Sequence, residues 1–455
     1  MPPFSRYSEA IIYEACIRDL SAEGTFKAAM PYLNYLQELG ITHLQLMPVN
    51  DFGSVDELHP KLFYNWGYDP VQFQVLEGSY SSNVNDPCQV RRDFSALVNE
   101  AHRRGIRINL DVVFNHVYVQ ENSSFHLSVP YYYFRYHADG RLSDGSGCGN
   151  DIDTEMLMAR KYILDTMKYY VSTFGVDGFR FDLMGLIDIE TIKEAYRQLH
   201  EIKPDIMMYG EGWNMNTAMA YENRACKDHS GRMPEVAFFN DDFRDSIKGS
   251  TFDAGGKGYG TGETGKIRDA MRVFESGTFP SIQQSVNYVE CHDDMTCFDK
   301  LHFCCRSEGE KAIIDRQKLL LGCVLLAQGI PFIHAGQEYC RSKRGYSNTY
   351  NKSDDINKLK LEDRQKHADV IEYVRKMISL RKELNLSTRA MKCSASGNIL
   401  LYESTDGQLT IAVNPTGEKV RYGFEGTLRE RDTAELYLSS ILLDPISITV
   451  LEKVQ

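Results

Sequence analysis

Long hydrophobic segments are missing from this chain. The longest nearly unbroken apolar run, from Leu319 to Ala327, has about half of the ~20 residues that a membrane-spanning helix needs. The N-terminal stretch MPPFSRYSEA has no basic segment followed by an apolar one, which a secretory signal peptide requires. The sequence therefore excludes a bundle of membrane helices and predicts a cytoplasmic location.

Paired cysteines and an excess of positive charge are also missing. The 11 cysteines are scattered, and none forms a CxxC pair, so we expect reduced thiols, most of them in the core, and no zinc site. Lys and Arg number 51 against 63 Asp and Glu, which gives a formal net charge of −12. A field of this sign repels phosphate backbones and acidic lipid surfaces, so neither nucleic acid nor a membrane is expected as a partner.

What the sequence does contain is a repeated junction of an amphipathic helix, a glycine and an apolar strand. Glycine just past a helix end can adopt the left-handed conformation that other residues adopt only with strain. The strands that follow are apolar without strict alternation, as parallel strands covered on both faces are. The repeat predicts crossover units. The four clearest helices are FKAAMPYLNYLQEL before Gly40, RRDFSALVNEAHRR before Gly105, ARKYILDTMKYYVSTF before Gly175 and LLLGCVLLAQ before Gly329.

Eight strands of this kind can be counted along the chain. They begin near Ile11, Ile41, Ile106, Val176, Asp205, Val236, Ser285 and Ile330. Eight parallel strands favour an α/β fold of the (β/α)8 TIM barrel type over a doubly wound sheet, whose GxGxxG turn is missing after the first strand. After about residue 388 short alternating runs predict a small antiparallel β-sandwich. We therefore expect a barrel domain over residues 1–387 and an all-β domain over residues 388–455.

Acidic residues stand at the carboxyl ends of several predicted strands, the end of a barrel where active sites are built. Asp182 follows Arg180 by two residues, so both side chains lie on one side of the strand, and the arginine favours the ionised form of a candidate nucleophile. Glu211 lies near apolar Met207 and Met208, which favour a protonated carboxyl group and hence a proton donor. A single Asp at a strand end is more often a helix cap, but the coincidence of several favours catalysis.

Further candidates lie at the same predicted rim. Asp293 stands next to His292, and Asp111 begins the segment DVVFNH, which ends in His116. The two tryptophans, Trp66 and Trp213, fall in rim loops, where a flat apolar ring either stacks on a sugar face or anchors its loop. The segment YNWGYDP adds Tyr64 and Tyr68 to this rim.

These residues resemble the α-amylase superfamily of glycoside hydrolases, and within it the type I pullulanase branch. Its four short regions correspond to DVVFNH (111–116), GFRFDLMG (178–185), GEGW (210–213) and VECHDD (289–294). YNWGYDP points to the pullulanase branch in particular. The resemblance implies that Asp182 is the nucleophile, Glu211 the general acid/base and Asp293 the stabilising carboxylate. It also implies a substrate-binding group, which contains Tyr68, Asp111, His116, Arg180, Trp213, His292 and, for the next sugar, Asp354.

The function that the resemblance implies is retaining hydrolysis of α-1,6 branch linkages in α-glucans such as pullulan and branched maltooligosaccharides. Two alternatives remain at this point: an α-1,4-acting or mixed-specificity amylase, and a non-catalytic glucan-binding protein. Asp294 stands where the branch usually has asparagine and adds a second carboxylate beside Asp293. No organic cofactor is implied, and the long rim loops could hold a structural Ca²⁺ whose ligands the sequence does not identify.

Overall fold

Eight parallel strands form a closed barrel in the order β1-β10-β9-β8-β7-β6-β5-β2. The computed structural model describes Met1 and residues 4–454. The predicted α/β barrel is confirmed, because each of the eight strands begins within a few residues of its predicted start. The strands are β1 (Ile12–Ala15), β2 (His43–Leu46), β3 (Asn50–Phe52), β4 (Pro70–Leu76), β5 (Arg107–Val112), β6 (Gly178–Phe181), β7 (Met207–Gly210), β8 (Ala237–Phe239), β9 (Ser285–Asn287), β10 (Ile330–His334), β11 (Met391–Ser396), β12 (Ile399–Ser404), β13 (Leu409–Asn414), β14 (Val420–Gly423), β15 (Leu428–Glu430), β16 (Leu436–Tyr437), β17 (Ser440–Leu443) and β18 (Ser447–Lys453).

Helices follow most barrel strands and return the chain to the start of the next one. The helices are α1 (Phe26–Ala29), α2 (Tyr32–Leu39), α3 (Gln89–Arg103), α4 (Ser124–Ser128), α5 (Leu157–Phe174), α6 (Ile189–Ile202), α7 (Asp241–Ile247), α8 (Ile267–Phe274), α9 (Cys297–Cys304), α10 (Glu310–Leu326), α11 (Asp354–Asn357), α12 (Asp363–Lys366) and α13 (Ala368–Glu383). None of the helices in the described ranges is both long enough and apolar enough to cross a membrane.

The four predicted junctions are present, and their glycines have left-handed backbones. Gly40, Gly105, Gly175 and Gly329 have φ angles of 92°, 74°, 76° and 116°. The first predicted helix differs from expectation, since it is split into α1 and α2 at Pro31. Proline has no N–H to donate and its ring clashes with the preceding turn, so one continuous helix is disfavoured there.

The strand register places the first site residues side by side. β5 and β6 pair in parallel with Asp111 opposite Arg180, and β6 and β7 pair with Arg180 opposite Tyr209. All residues of β5, β6 and β7 are buried. The ends of these three strands therefore hold their side chains on a rigid, fully packed base.

The chain divides into two compact units. The first comprises Met1–Phe239, Phe279–Gln284 and Thr349–Leu359, and the second comprises Asn240–Thr278, Ser285–Asn348 and Lys360–Gln455. The predicted domain boundary between residues 387 and 388 falls between α13 and β11 and remains a prediction.

Antiparallel strands follow α13 in the second unit, as expected. Six of them form a sheet in the order β11-β12-β13-β18-β15-β16, and β14 pairs with β17. Residues of both sheets share one apolar cluster, which contains Leu401 and Leu451 from the larger sheet and Tyr422 and Ile441 from the smaller one. This shared core is that of the predicted small β-sandwich.

The cysteines are free thiols, and 7 of the 11 are buried. Buried thiols behave as small apolar side chains, so their main contribution is to packing.

Candidate active site

Arg180 lies at the centre of a group of carboxylates in the first unit. Its side chain is 1% exposed, and its Nη1 donates to Asp111 Oδ1 at 2.8 Å and to Asp182 Oδ1 at 3.1 Å. Its Nη2 donates to Glu211 Oε1. Burial opposes the charge, but Asp111, Glu211, Tyr68 and Asp182 together raise the pKa of Arg180 well above its usual value. One permanently charged guanidinium therefore holds carboxyl groups from the ends of three adjacent strands.

Asp182 is fixed by donors on both of its oxygens. Asn115 Nδ2 donates to Oδ2 at 2.7 Å and to the backbone oxygen of Asp182 at 2.9 Å, while Arg180 occupies Oδ1. The carboxylate is 11% exposed, so one face remains open. A carboxylate oriented in this way has the geometry of a nucleophile that needs no reorganisation.

Glu211 is also held by two donors, which differs from the apolar surroundings that the sequence predicted. Met207 and Met208 are buried as expected, but the carboxyl group meets Arg180 at Oε1 and the Leu183 N–H at Oε2, 2.9 Å away. Donors of this kind favour the ionised carboxylate. Both oxygens of Glu211 are therefore oriented before any substrate binds.

Two residues that the sequence reasoning did not single out support this pair of acids. Asn115 was visible inside DVVFNH, and its amide now proves to orient Asp182. Leu183 has a φ of 41°, a left-handed backbone that is uncommon outside glycine and typical of functional sites. That conformation points the Leu183 N–H at Glu211, and no sequence signal marks it.

Tyr68 and His116 complete one wall of the group. The Tyr68 hydroxyl donates to Asp111 Oδ2 at 2.7 Å, and burial followed by the charge of Asp111 raises the pKa of Tyr68 well above its usual value. His116 Nε2 lies 2.9 Å from the Tyr68 carbonyl oxygen and Nδ1 lies 2.6 Å from Asn115 Oδ1. Burial lowers the pKa of His116 although Asp182 opposes the shift. Asp111 is fully buried between Tyr68 and Arg180, so its carboxylate fixes the positions of these two side chains.

The two tryptophans have different environments. Trp66 is 3% exposed and packs with Cys16, Met47 and Tyr64, which favours an anchor of its loop over a ring that stacks on a sugar. Trp213 is half-buried and stays a candidate for stacking on a sugar. Its backbone oxygen would lie 1.8 Å from a β-carbon at Gly185, so only glycine fits at position 185.

Asp354 lies at the edge of a large cavity. Its Oδ1 accepts from Arg18 Nε at 2.8 Å, and its side chain is 31% exposed. The cavity has a volume of about 680 Å³, within the range of ligand sites. Its lining includes Phe63 and Tyr118, and these residues are 57% and 45% exposed. Asp354, which the family resemblance assigns to a second sugar, thus borders a cavity that is large enough to hold a sugar ring.

His292 and Asp293 lie in the second unit, on the segment that follows β9. His292 is buried, and its Nε2 lies 3.7 Å from Asp293 Oδ1, whose side chain is 41% exposed. The adjacent Asp294 has a left-handed backbone with a φ of 64°. Burial raises the pKa of Asp294, and the neighbouring Asp293 adds to the rise while Thr251 opposes it.

Three further carboxylates of the first unit could hold a cation. Asp51, Glu57 and Glu77 have oxygens within 4.8 Å of one another, and the first and last belong to the β3–β4 hairpin and the turn after it. Burial raises the pKa of Asp51 to about 6 and of Glu77 to about 7, and the charge on Glu57 adds to both shifts. Carboxylate oxygens are the ligands that Ca²⁺ prefers.

A family model described as the alpha-amylase catalytic domain matches residues 12–138 and 144–376. The chain belongs to the alpha-amylase family. The chain is 41% identical over 409 residues to the pullulanase of Bacillus subtilis (strain 168). The aligned region covers 84% of this chain and 57% of that relative. The chain thus spans little more than half the length of that relative.

Solved structures of type I pullulanases are similar along the whole length of this alpha-amylase family chain. The structure of the Bacillus subtilis str. 168 enzyme complexed with maltose has a TM-score of 0.96 at 35% identity and covers 100% of this chain and 71% of the other. The structure of the Anoxybacillus sp. LM18-11 pullulanase complexed with maltotriose has a TM-score of 0.97 at the same 35% identity and with the same coverage.

Proposed function

We propose that this chain is a debranching glycoside hydrolase that cleaves α-1,6 linkages in α-glucans with retention of configuration. The observation that carries the proposal is the contact of one buried guanidinium with both Asp182 and Glu211. The relatives support the linkage, since both the 41% identical protein and the structural neighbours are named pullulanases. The maltose and maltotriose in those structures support an α-glucan substrate.

The mechanism assigns one step to each acid. Asp182 attacks the anomeric carbon while Glu211 protonates the leaving oxygen, and a covalent glycosyl-enzyme forms. Glu211 then takes a proton from the water that releases the sugar. The donors from Arg180 and Leu183 support this second step, because they stabilise the carboxylate form that must accept the proton.

The third acid and the binding residues have separate parts in the proposal. Asp293 holds sugar hydroxyls and stabilises the transition state, as the family resemblance implies, and His292 stands beside it. Tyr68 and His116 flank the sugar that becomes attached to Asp182, with Arg180 behind them. Trp213 offers a ring to the substrate, and the cavity beside Asp354 receives the next sugars of the branch.

Digestion of pullulan tests the linkage directly. We expect maltotriose as the product, with the α-anomer formed first in a time-resolved NMR experiment. Panose or isopanose would support the α-1,4-acting alternative, and initial release of the β-anomer would contradict retention.

Glu211→Gln tests the acid/base role. We expect turnover to fall below detection while maltotriose binding, followed by calorimetry, stays within about threefold of the unchanged chain, because the amide keeps the shape but carries no transferable proton. Glu190→Gln, on the exposed face of α6, is the matched control and should retain full activity. Unchanged turnover in Glu211→Gln would refute the assignment, and binding without turnover by the unchanged chain would favour a non-catalytic glucan-binding protein.

Three further expectations complete the proposal. The carboxylates suffice for the chemistry, so no cofactor is required, and a Ca²⁺ ion, if bound, would have a structural role. Neither nucleic acid nor a membrane is expected as a partner of a chain with a net charge of −12. A cytoplasmic location is proposed from the sequence, and cell fractionation with an antibody to the chain would test it.

A further inference from the structure

We propose that Glu290 is a positioning residue that fixes the segment 291–296, which carries His292 and Asp293, for catalysis. This segment connects the end of β9 to α9 in the second unit. The inference rests on the proposed function in one respect, namely that Asp293 acts on the substrate. The geometry that supports it is independent of any substrate.

Glu290 holds the two ends of this segment together. Its side chain is fully buried, and its Oε2 accepts from the backbone N–H of Cys297 at 2.6 Å. Cys297 is the first residue of α9, and the N–H groups of a first helical turn have no partner inside the helix. Glu290 therefore closes the segment at its base and fixes where α9 begins.

The other carboxyl oxygen joins Glu290 to β10. Oε1 lies 2.7 Å from His334 Nδ1, and His334 Nε2 lies 3.2 Å from Arg341 Nη1. Because arginine can only donate, His334 accepts at Nε2 and donates from Nδ1 to Glu290. Burial raises the pKa of Glu290 to about 8, and Arg341, Lys248 and Lys343 oppose the rise. The carboxyl group thus contacts the first residue of α9 through one oxygen and β10 through the other.

Asp293 needs such support because its own carboxylate is only loosely held. It is 41% exposed and lies 3.7 Å from His292 Nε2, and the next residue, Asp294, has the unfavourable φ of 64°. A strained backbone persists only where the surrounding structure over-determines it. Lys343 adds a second brace, since its Nζ donates to the His292 carbonyl oxygen at 3.3 Å.

The chain offers a closely matched control for the chemistry of Glu290. Asp177 precedes β6 and is also fully buried. Its Oδ2 accepts from the Ile108 N–H at 2.8 Å and lies 2.7 Å from His102 Nε2. It therefore makes the same pair of contacts, a backbone N–H and an imidazole, together with an ion pair from Oδ1 to Lys203 Nζ at 2.8 Å. It lies at the amino end of a strand, where barrels carry stability rather than catalysis.

The experiment compares Glu290→Ala, Glu290→Gln and Asp177→Ala in the full chain with pullulan as substrate, at a temperature where all are folded. We expect Glu290→Ala to lose about 10- to 100-fold in kcat with KM changed by less than about threefold, since small misplacements of a catalytic group have effects of this size. Glutamine can satisfy one of the two contacts, so Glu290→Gln should be more active than Glu290→Ala. We expect its decrease in log kcat to be at most about two thirds of the decrease in Glu290→Ala. Asp177→Ala should lower Tm but keep kcat within about twofold.

Hydrogen exchange gives a readout that does not depend on activity. We expect the amides of residues 291–296 to exchange at least about tenfold faster in Glu290→Ala and at an unchanged rate in Asp177→Ala, because local opening follows the loss of local contacts. Unchanged exchange there, a Glu290→Ala kcat above half of normal, or an equal loss in Asp177→Ala would each overturn the proposal. An inactive unchanged chain would instead refute the proposed function, and the exchange comparison would still decide the role of Glu290.

Discussion

The carboxylates of Asp51, Glu57 and Glu77 allow a quantitative prediction about stability and pH. The folded-state pKa of Glu77 is about 7, above the ordinary value of 4.5, and burial is the main cause. For a raised carboxyl pKa, the folded state binds its proton more tightly than the unfolded chain does. The stabilising contribution of Glu77 to the free energy of unfolding is therefore fully present below about pH 4.5 and is lost as the pH rises through about 7.

The size of this effect follows from the two values. The difference between 4.5 and 7 corresponds to about 3 kcal/mol of unfolding free energy, as an order of magnitude for a fully buried group. Glu57 contributes part of it, because its exposed carboxylate repels the charge on Glu77 and on Asp51. Glu57→Gln keeps an acceptor for the Gly78 N–H, which Glu57 Oε1 binds at 3.1 Å, and removes only the charge. We expect it to stabilise the protein by up to about 1 kcal/mol at pH 8 and not at pH 4.5.

The assay is urea unfolding of the unchanged chain and of Glu57→Gln at several pH values between 4.5 and 8, with a chelator present. Glu121→Gln, at an exposed position before α4, controls for the loss of one negative charge. A stabilisation by Glu57→Gln that is equal at pH 4.5 and pH 8 would refute the reasoning.

The same cluster gives the calcium expectation a test. If Ca²⁺ binds these oxygens, millimolar Ca²⁺ will stabilise the unchanged chain at pH 8 by mass action, and Glu57→Gln will gain less. No change in stability of the unchanged chain on adding Ca²⁺ would show that the calcium prediction is wrong for this cluster.

Three further predictions concern the first unit. Tyr68→Phe removes the donor 2.7 Å from Asp111 and should cost about 1–3 kcal/mol, measured as a lower Tm and a lower kcat/KM; an unchanged Tm would contradict the bracing role. Asn115→Asp places a second carboxylate against Asp182, and we expect like-charge repulsion to lower pullulan turnover more than about 100-fold. Near-normal turnover in this variant would contradict the proposed role of Asn115. Trp66→Ala empties a buried position and should destabilise by about 3–5 kcal/mol, whereas a raised KM with unchanged stability would indicate that the ring binds substrate.

The barrel was predictable because each of its units leaves a local mark on the sequence. The apolar run after Gly105 has residues buried on both faces, which β5 confirms along its whole length. The glycine junctions require no knowledge of distant residues. The β3–β4 hairpin was missed, because its strands lie in a segment of mixed polarity that reads as a loop, and its pairing is irregular.

The site was predictable only as far as single strands determine it. The period of two placed Arg180 beside Asp182, and the ends of the strands identified the acids. The contact of Arg180 with Glu211 depends on the neighbouring strand, and the left-handed backbone of Leu183 depends on the packing around it. Trp66 was left undecided for the same reason, since burial of a loop residue is decided by residues far away in sequence.

The shared guanidinium has a consequence for dissecting the reaction. Arg180 touches both Asp182, the proposed nucleophile, and Glu211, the proposed acid/base, so in the proposed mechanism a substitution at position 180 perturbs the formation and the breakdown of the covalent intermediate at once. Kinetic separation of the two halves, or capture of that intermediate for crystallography, therefore calls for an altered Glu211 together with an activated leaving group, and Arg180 should be left intact.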